Sequence, residues 1–232
     1  MEKASGRVLL VTGGGRGIGA ATARLAASQG WAVAVNYTAN SLAADEVVRS
    51  IRELGGTAIA VQADVADEAQ VLAMFQKIDA KLGRLGGLVN NAGVVDVSAR
   101  VDEMSVARWR RMFDINVIGS MLCAREAVRR MSTKHGGEGG AVVNVSSAAS
   151  RLGSPGQYVD YAAAKGAIDA FTIGLAKEVG GEGIRVNAVR PGLIETDIHA
   201  SGGLPNRVRD LQHLLPMQRG VTADEVAQAI VW

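Results

Sequence analysis

Val8-Leu9-Leu10-Val11-Thr12-Gly13-Gly14-Gly15-Arg16-Gly17-Ile18-Gly19-Ala20 is the stretch that decides the fold. Val8 to Val11 is a short apolar run with β-branched ends, the pattern of a strand buried on both faces. Glycines follow at once. Ile18 to Gln29 is then Ala-rich with helical spacing, and Gly30 stands where a closing C′ glycine would. A buried strand, a glycine turn and a helix, in that order, open a βα unit.

The same alternation continues downstream. Ala32–Val35, Ala58–Val61, Leu88–Val89, Ala141–Val145 and Ile184–Val189 read as further strands. Between them, helical patterns cover about 41–54, 68–82, 106–131 and 161–179, and a last one covers 224–232. Gly55 and Gly56 stop the second helix. Short connections and strict βα order predict an α/β protein, a Rossmann-type doubly wound parallel sheet with helices on both faces. No linker, no fixed-length repeat and no second domain is visible, so a single domain is expected. The glycine patch at 136–140 reads as a turn between a helix and a strand.

Composition narrows the partners. Of 232 residues, 48% are hydrophobic and 21% charged, as in ordinary globular proteins. A net charge of +2 is too small to imply a nucleic-acid partner, and no dense basic run adds to it. The lone Cys123 sits in an apolar stretch and reads as a core thiol, so neither an internal disulfide nor a cysteine metal cluster is expected. His135, His199 and His213 show no ligand spacing. No apolar run approaches the length of a membrane span, and the N-terminus enters a strand rather than a signal sequence. A cytoplasmic protein is the simplest expectation, with no metal and no membrane partner.

The glycine turn sits where such sheets bind nucleotides, outside the carboxyl ends of the strands. Gly13, Gly15, Gly17 and Gly19 let the backbone turn tightly and approach a pyrophosphate, and the helix start at Ile18 offers it unpaired N–H groups. The end of the second strand discriminates between dinucleotides, because an acid there binds the ribose and repels a 2′-phosphate. Here it reads Asn36-Tyr37-Thr38, with no carboxylate, and Arg16 lies inside the turn where a guanidinium can pair with a 2′-phosphate. Both features favour NADP(H) over NAD(H). A solvated Arg16 and a site that accepts either cofactor is the alternative.

Tyr161-Ala162-Ala163-Ala164-Lys165 puts a phenol and an ammonium on one helix face. A nearby ammonium favours phenolate, so the tyrosine is expected to be tuned toward proton exchange near neutral pH. Tyr158 has Ala162 four residues on, and so has no such partner. Ser146-Ser147 follows a strand at its carboxyl end, where a hydroxyl can donate to a developing alkoxide. Asn116 is a polar residue inside a helical pattern, which is unfavourable without a partner or a task.

With these pieces in place, the chain resembles the short-chain dehydrogenase/reductase family over essentially its whole length. Thr12 to Gly19 matches Thr-Gly-x-x-x-Gly-x-Gly. Asn90-Asn91-Ala92-Gly93, Ser147, Tyr161/Lys165 and Pro191-Gly192 match the remaining motifs in order. The resemblance implies Tyr161 as general acid/base, with Lys165 holding the nicotinamide ribose and depressing the tyrosine pKa. It implies Ser147 as the group orienting the substrate carbonyl or hydroxyl, although by alignment Ser146 competes for that role. Asn116 would hold a water linking Lys165 to solvent. Asp64 and Val65 would contact the adenine, and Asn91, Ala92 and Gly93 would line the cofactor. Ile194 and Thr196, just after Pro191-Gly192, would dock the carboxamide.

The expected activity is hydride exchange between NADP(H) and a small-molecule carbonyl or secondary alcohol. Two other readings were weighed. A non-catalytic dinucleotide sensor would usually lack the tyrosine or lysine, and a nucleotide-sugar epimerase would need a larger substrate domain. Residues 192–219 are expected to form a lid that shapes specificity, with 99–101 and 151–157 lining the same pocket. Arg151 to Gln157 is similar to glucose-dehydrogenase-like and 3-oxoacyl-carrier-protein-reductase-like members. Family members continue past a helix like 224–232 into a seventh strand, which is apparently missing here, and assemble as homodimers or homotetramers.

Overall fold

The computed structural model describes residues 7–196, 202–204 and 206–232. Six strands form one sheet: β1 (Val8–Val11), β2 (Ala32–Tyr37), β3 (Ala58–Gln62), β4 (Leu85–Asn90), β5 (Gly140–Val145) and β6 (Ile184–Val189). All pairings are parallel, in the order β3-β2-β1-β4-β5-β6. The order reverses beside β1. Val11 is therefore in register with both Val35 of β2 and Val89 of β4, and the turns leaving these strands meet at one edge of the sheet.

The two faces of β1 seed two apolar layers, because side chains alternate along a strand. Val8 and Leu10 point into a layer with Phe75, Ile78, Leu88 and Cys123. Leu9 and Val11 point into the other, with Val35, Val47 and Ile51. Helices α1 (Gly17–Ser28), α2 (Ser41–Glu53), α3 (Glu68–Lys81), α4 (Val106–Phe113), α5 (Gly119–Met131) and α7 (Val159–Val179) cover the sheet. A short α6 (Ala149–Leu152) lies in the loop after β5, and α8 (Arg207–Leu211) and α9 (Ala223–Val231) follow β6. Among the described residues, no helix is long and apolar enough to cross a membrane. Cys123 is the expected core thiol, its pKa pushed up to about 12 by burial. His199 lies outside the described residues.

Two boundaries differ from the sequence reading for physical reasons. β4 begins at Leu85 rather than Leu88. Its first half contains Gly86 and Gly87, poor strand formers, and a Cβ on Gly87 would lie 2.7 Å from Leu9. The stretch 106–131 is not one α-helix. It is interrupted at Asp114–Ile118 by a π-helical turn centred on Asn116. Such turns recur at functional sites because they re-aim one side chain without ending the helix.

Candidate active site

The glycine turn is braced from three directions. Thr12, 1% exposed, donates its hydroxyl to Val89 O and accepts from the amides of Asn91 and Ala92, both at 3.0 Å. The Asn91 amide donates to Thr12 O and Gly13 O. Gly13 and Gly17 have φ of +60° and +52°, which side-chain-bearing residues rarely adopt. A Cβ on Gly19 would stand 2.5 Å from Gly13 O. Arg16 caps α1 without a side-chain hydrogen bond, and the first turn carries no acid. The helix therefore presents its N–H groups to an anion unopposed, and the cradle fits a dinucleotide pyrophosphate.

Asn36 is 1% exposed: its side chain accepts from Gly13 N at 3.1 Å and donates to Val61 O and Ala63 O, so the amide ties the glycine turn to β2 and β3. Tyr37, half-buried, and the exposed Thr38 and Arg16 remain at that end of the sheet. Asp64 accepts from Ala66 N, closing its own turn, while Val65 is buried and would be 2.7 Å from a Cβ on Gly119. Gly15 backs onto α2.

Beside the cradle lies a cavity of about 410 Å³. Ile18, Asn91 and Gly93 line it from the cofactor side, and Pro191, Gly192, Ile194 and Thr196 from the loop after β6. That loop is held in place by Val221 and by Ala148 N donating to Pro191 O. Ser147, Tyr161 and Lys165 form the remaining wall.

The two serines separate cleanly. Ser146 is buried at 2% exposure, and its hydroxyl donates to Lys165 O. The Ser147 hydroxyl accepts from Ala149 N at 3.1 Å, which leaves its own proton to donate. Ser147 also faces the Tyr161 phenol closely enough to lower its pKa. Burial is the larger effect, and the Tyr161 pKa lies above its ordinary value of 10.0. This differs from the expectation that Lys165 would depress it. The ammonium, 5.6 Å from the ring centre, is committed to Val145 O at 2.7 Å. Burial lowers the Lys165 pKa from 10.5 to about 8, partly opposed by Asp169 one turn along α7.

Asn116 is fully buried. It donates to Val94 O and Met112 O and accepts from Val94 N, fastening the loop after β4 to the π-helical turn. A Cβ on Gly93 would lie 2.7 Å from its carbonyl oxygen and 3.6 Å from Lys165 Nζ. Only glycine leaves Asn116 and Lys165 open to each other there.

The buried ammonium carries a stability consequence. Below about pH 8 Lys165 is protonated both folded and unfolded, so the full cost of burying the charge is present. Between about 8 and 10.5 the folded protein sheds the proton first, and stability rises with pH. Lys165→Met should therefore be more stable than the parent at pH 7, by at most about 3 kcal/mol, and unfold at a higher temperature. The gap should narrow as the pH is raised through that window. Thermal melts at several pH values check this, and a gap independent of pH contradicts it.

Sequence reasoning missed several parts of this region. Thr12 was legible only as a motif letter, and Val95 on the cavity wall carried no signal, whereas Leu152 and Arg207 fall in the two segments expected to line the pocket without being singled out there. Asp160, next to Tyr161, makes a buried ion pair with Arg108 at 2.7 Å.

Fold and cavity together define a dinucleotide-binding α/β oxidoreductase. The chain matches the short chain dehydrogenase family over residues 7–204. The uncharacterized oxidoreductase YgfF of Escherichia coli (strain K12) is 58% identical over 225 residues, covering 97% of this chain and 91% of the relative. A 3-oxoacyl-[acyl-carrier-protein] reductase of Synechocystis is 38% identical, over 99% of this chain and 90% of the relative. A short chain dehydrogenase from Burkholderia cenocepacia J2315, solved in complex with NADP, superposes with a TM-score of 0.87 at 34% identity, over 99% of this chain and 90% of that one. This chain belongs to the short-chain dehydrogenase/reductase family, whose members use NAD(P) to act on alcohol and carbonyl groups.

Proposed function

We propose that this protein is an NADP(H)-dependent carbonyl reductase or secondary-alcohol dehydrogenase with Tyr161 as general acid/base. The observation that carries the reading is the gathering of Ser147, Tyr161 and Lys165 in the lining of a cavity that Ile18, Asn91 and Gly93 beside the glycine cradle also line. When bound, the nicotinamide supplies a hydride, two electrons and a hydrogen nucleus, to the carbonyl carbon. Ser147 and Tyr161 hold the carbonyl oxygen by hydrogen bonds, and the Tyr161 proton passes to it as negative charge develops there. The product is the alcohol, and oxidation runs the same transfers backwards. Lys165 holds the nicotinamide ribose, and Asn116 stands beside it to organise a water that returns the proton to Tyr161. Ile194 and Thr196 dock the carboxamide, and Asn91, Ala92 and Gly93 support the ring. Asp64 and Val65 border the adenine. Assembly as a homodimer or homotetramer belongs to the same reading, supported by the exposed Trp109, Phe113 and Ile118 along one helical edge.

Preference for NADP(H) rests on Arg16 and on an end of β2 without a carboxylate. Charge-assisted bonds from Arg16 to a 2′-phosphate should make NADPH bind about tenfold or more tighter than NADH. Arg16→Ala should remove most of that margin and leave NADH binding little changed. Fluorescence titration of the purified protein with both cofactors tests this. Tighter binding of NADH overturns the preference.

A further inference from the structure

The cavity lining contains a group that the proton-transfer chemistry does not use. Arg207, the first residue of α8, lines the cavity together with Tyr158 and Tyr161. Among the described residues lining it, Lys165 and Arg207 are the cations, and none is a carboxylate. Lys165 bonds Val145 O and, in the reading above, holds the nicotinamide ribose with its remaining donors. Among the described residues, Arg207 makes no ion pair. Its position is nevertheless built: Nη1 donates to Gln157 Oε1 at 2.6 Å, and the guanidinium lies over the Tyr158 ring, 5.5 Å from its centre. One face and one N–H are spent on holding the group, and the remaining N–H groups are a fork suited to a carboxylate.

The surroundings bound the ligand further. Val95, Leu152, Leu211, Leu214 and Leu215 give the same cavity an apolar wall. Tyr158 is the N-cap of α7 and Tyr161 lies in the first turn of that helix, and both line this cavity, so the guanidinium over the Tyr158 ring and the Tyr161 phenol face one space. A carboxylate on the guanidinium would thus sit several bonds from a carbonyl held by Tyr161.

We propose that the physiological substrate is a small oxo or hydroxy acid with an apolar body, its carboxylate held by Arg207 and separated by several bonds from the reacting carbon. This rests on the oxidoreductase reading above and adds the substrate class to it.

The test compares matched acid and neutral probes. NADPH-linked reduction of 5-oxohexanoate and of its methyl ester is measured with the parent protein and with Arg207→Gln. The parent should favour the acid by about tenfold or more in kcat/KM, mainly through KM, and the variant should lose that preference. Calorimetric titration of the NADP⁺-saturated protein with hexanoate and hexanamide gives a second readout that needs neither turnover nor a folded variant. The acid should bind more tightly than the amide. A parent that favours the ester, an acid preference untouched by Arg207→Gln, or equal binding of hexanoate and hexanamide overturns the proposal. Failure of the oxidoreductase reading looks different: no carbonyl compound, charged or neutral, oxidises NADPH, whatever the outcome of the hexanoate titration.

Discussion

Tyr161→Phe is expected to lower kcat/KM for carbonyl reduction by between about 10² and 10⁴-fold, the range supplied by positioned general acids. The substitution removes one oxygen and leaves the ring that packs in the cavity wall. Ser147 keeps its Ala149 contact and Lys165 keeps Val145 O, so the remaining geometry is undisturbed. Affinity for NADPH should change little, because the glycine cradle is built by Thr12, Asn36 and Asn91. The loss should fall on kcat more than on KM, since the missing proton matters only as the alkoxide forms. Steady-state kinetics with parallel cofactor titration checks it. A variant with full turnover would remove Tyr161 from the chemistry.

Asp160→Ala should be the most destabilising single change at the site, costing about 3–5 kcal/mol. Asp160 and Arg108 are 2% and 8% exposed in their side chains and share two bonds, at 2.7 and 3.2 Å. Deleting the acid leaves the guanidinium, among the described residues, with Val97 O as its hydrogen-bond acceptor and Asp96 as the nearby opposite charge. For a chain of this size the loss corresponds to a fall in Tm of roughly 6–20 °C. Asp160 also accepts from Tyr161 N at 3.0 Å, so the variant loosens the start of the helix that carries the general acid. Replacing both partners with apolar residues should be much milder than removing the acid alone, because no unpaired charge remains. Thermal and urea unfolding of the single and double variants measure this. A single variant within about 1 kcal/mol of the parent would show that water reaches Arg108.

What was legible in the sequence follows from how local each cause is. β1 and β2 read directly, because strands buried on both faces are continuous apolar runs. Tyr161 and Lys165 read directly, because helical spacing alone puts them on one face. The unread parts involve partners distant in sequence. The bracing use of Asn36 is set by Gly13 N, 23 residues earlier in the chain, and the local pattern showed only that no carboxylate stands there. The π-helical turn at Asn116 depends on Val94, 22 residues upstream, and nothing within 106–131 announces it. The start of β4 was hidden because its glycines answer the pressure of Leu9 from β1 and of Trp31, which immediately precedes β2. Local pattern also cannot weigh burial, which is why the Tyr161 phenol moves up and not down. Arg207 sits in a segment that reads only as a lid, and its meaning appears when α8 is placed against Tyr158.

The central claim is that bound NADP(H) exchanges hydride with a carbonyl carbon beside Tyr161. Deuterium tracing tests it most directly. The protein is incubated with NADPH carrying deuterium at nicotinamide C4, each epimer separately, and a panel of aldehydes, ketones and oxo acids. The alcohol products are then weighed by mass spectrometry. The account predicts an alcohol one mass unit heavier at the carbinol carbon with one epimer and not the other, and almost no such product with Tyr161→Phe. No labelled alcohol from any carbonyl compound, or the same yield from the phenylalanine variant, would contradict it.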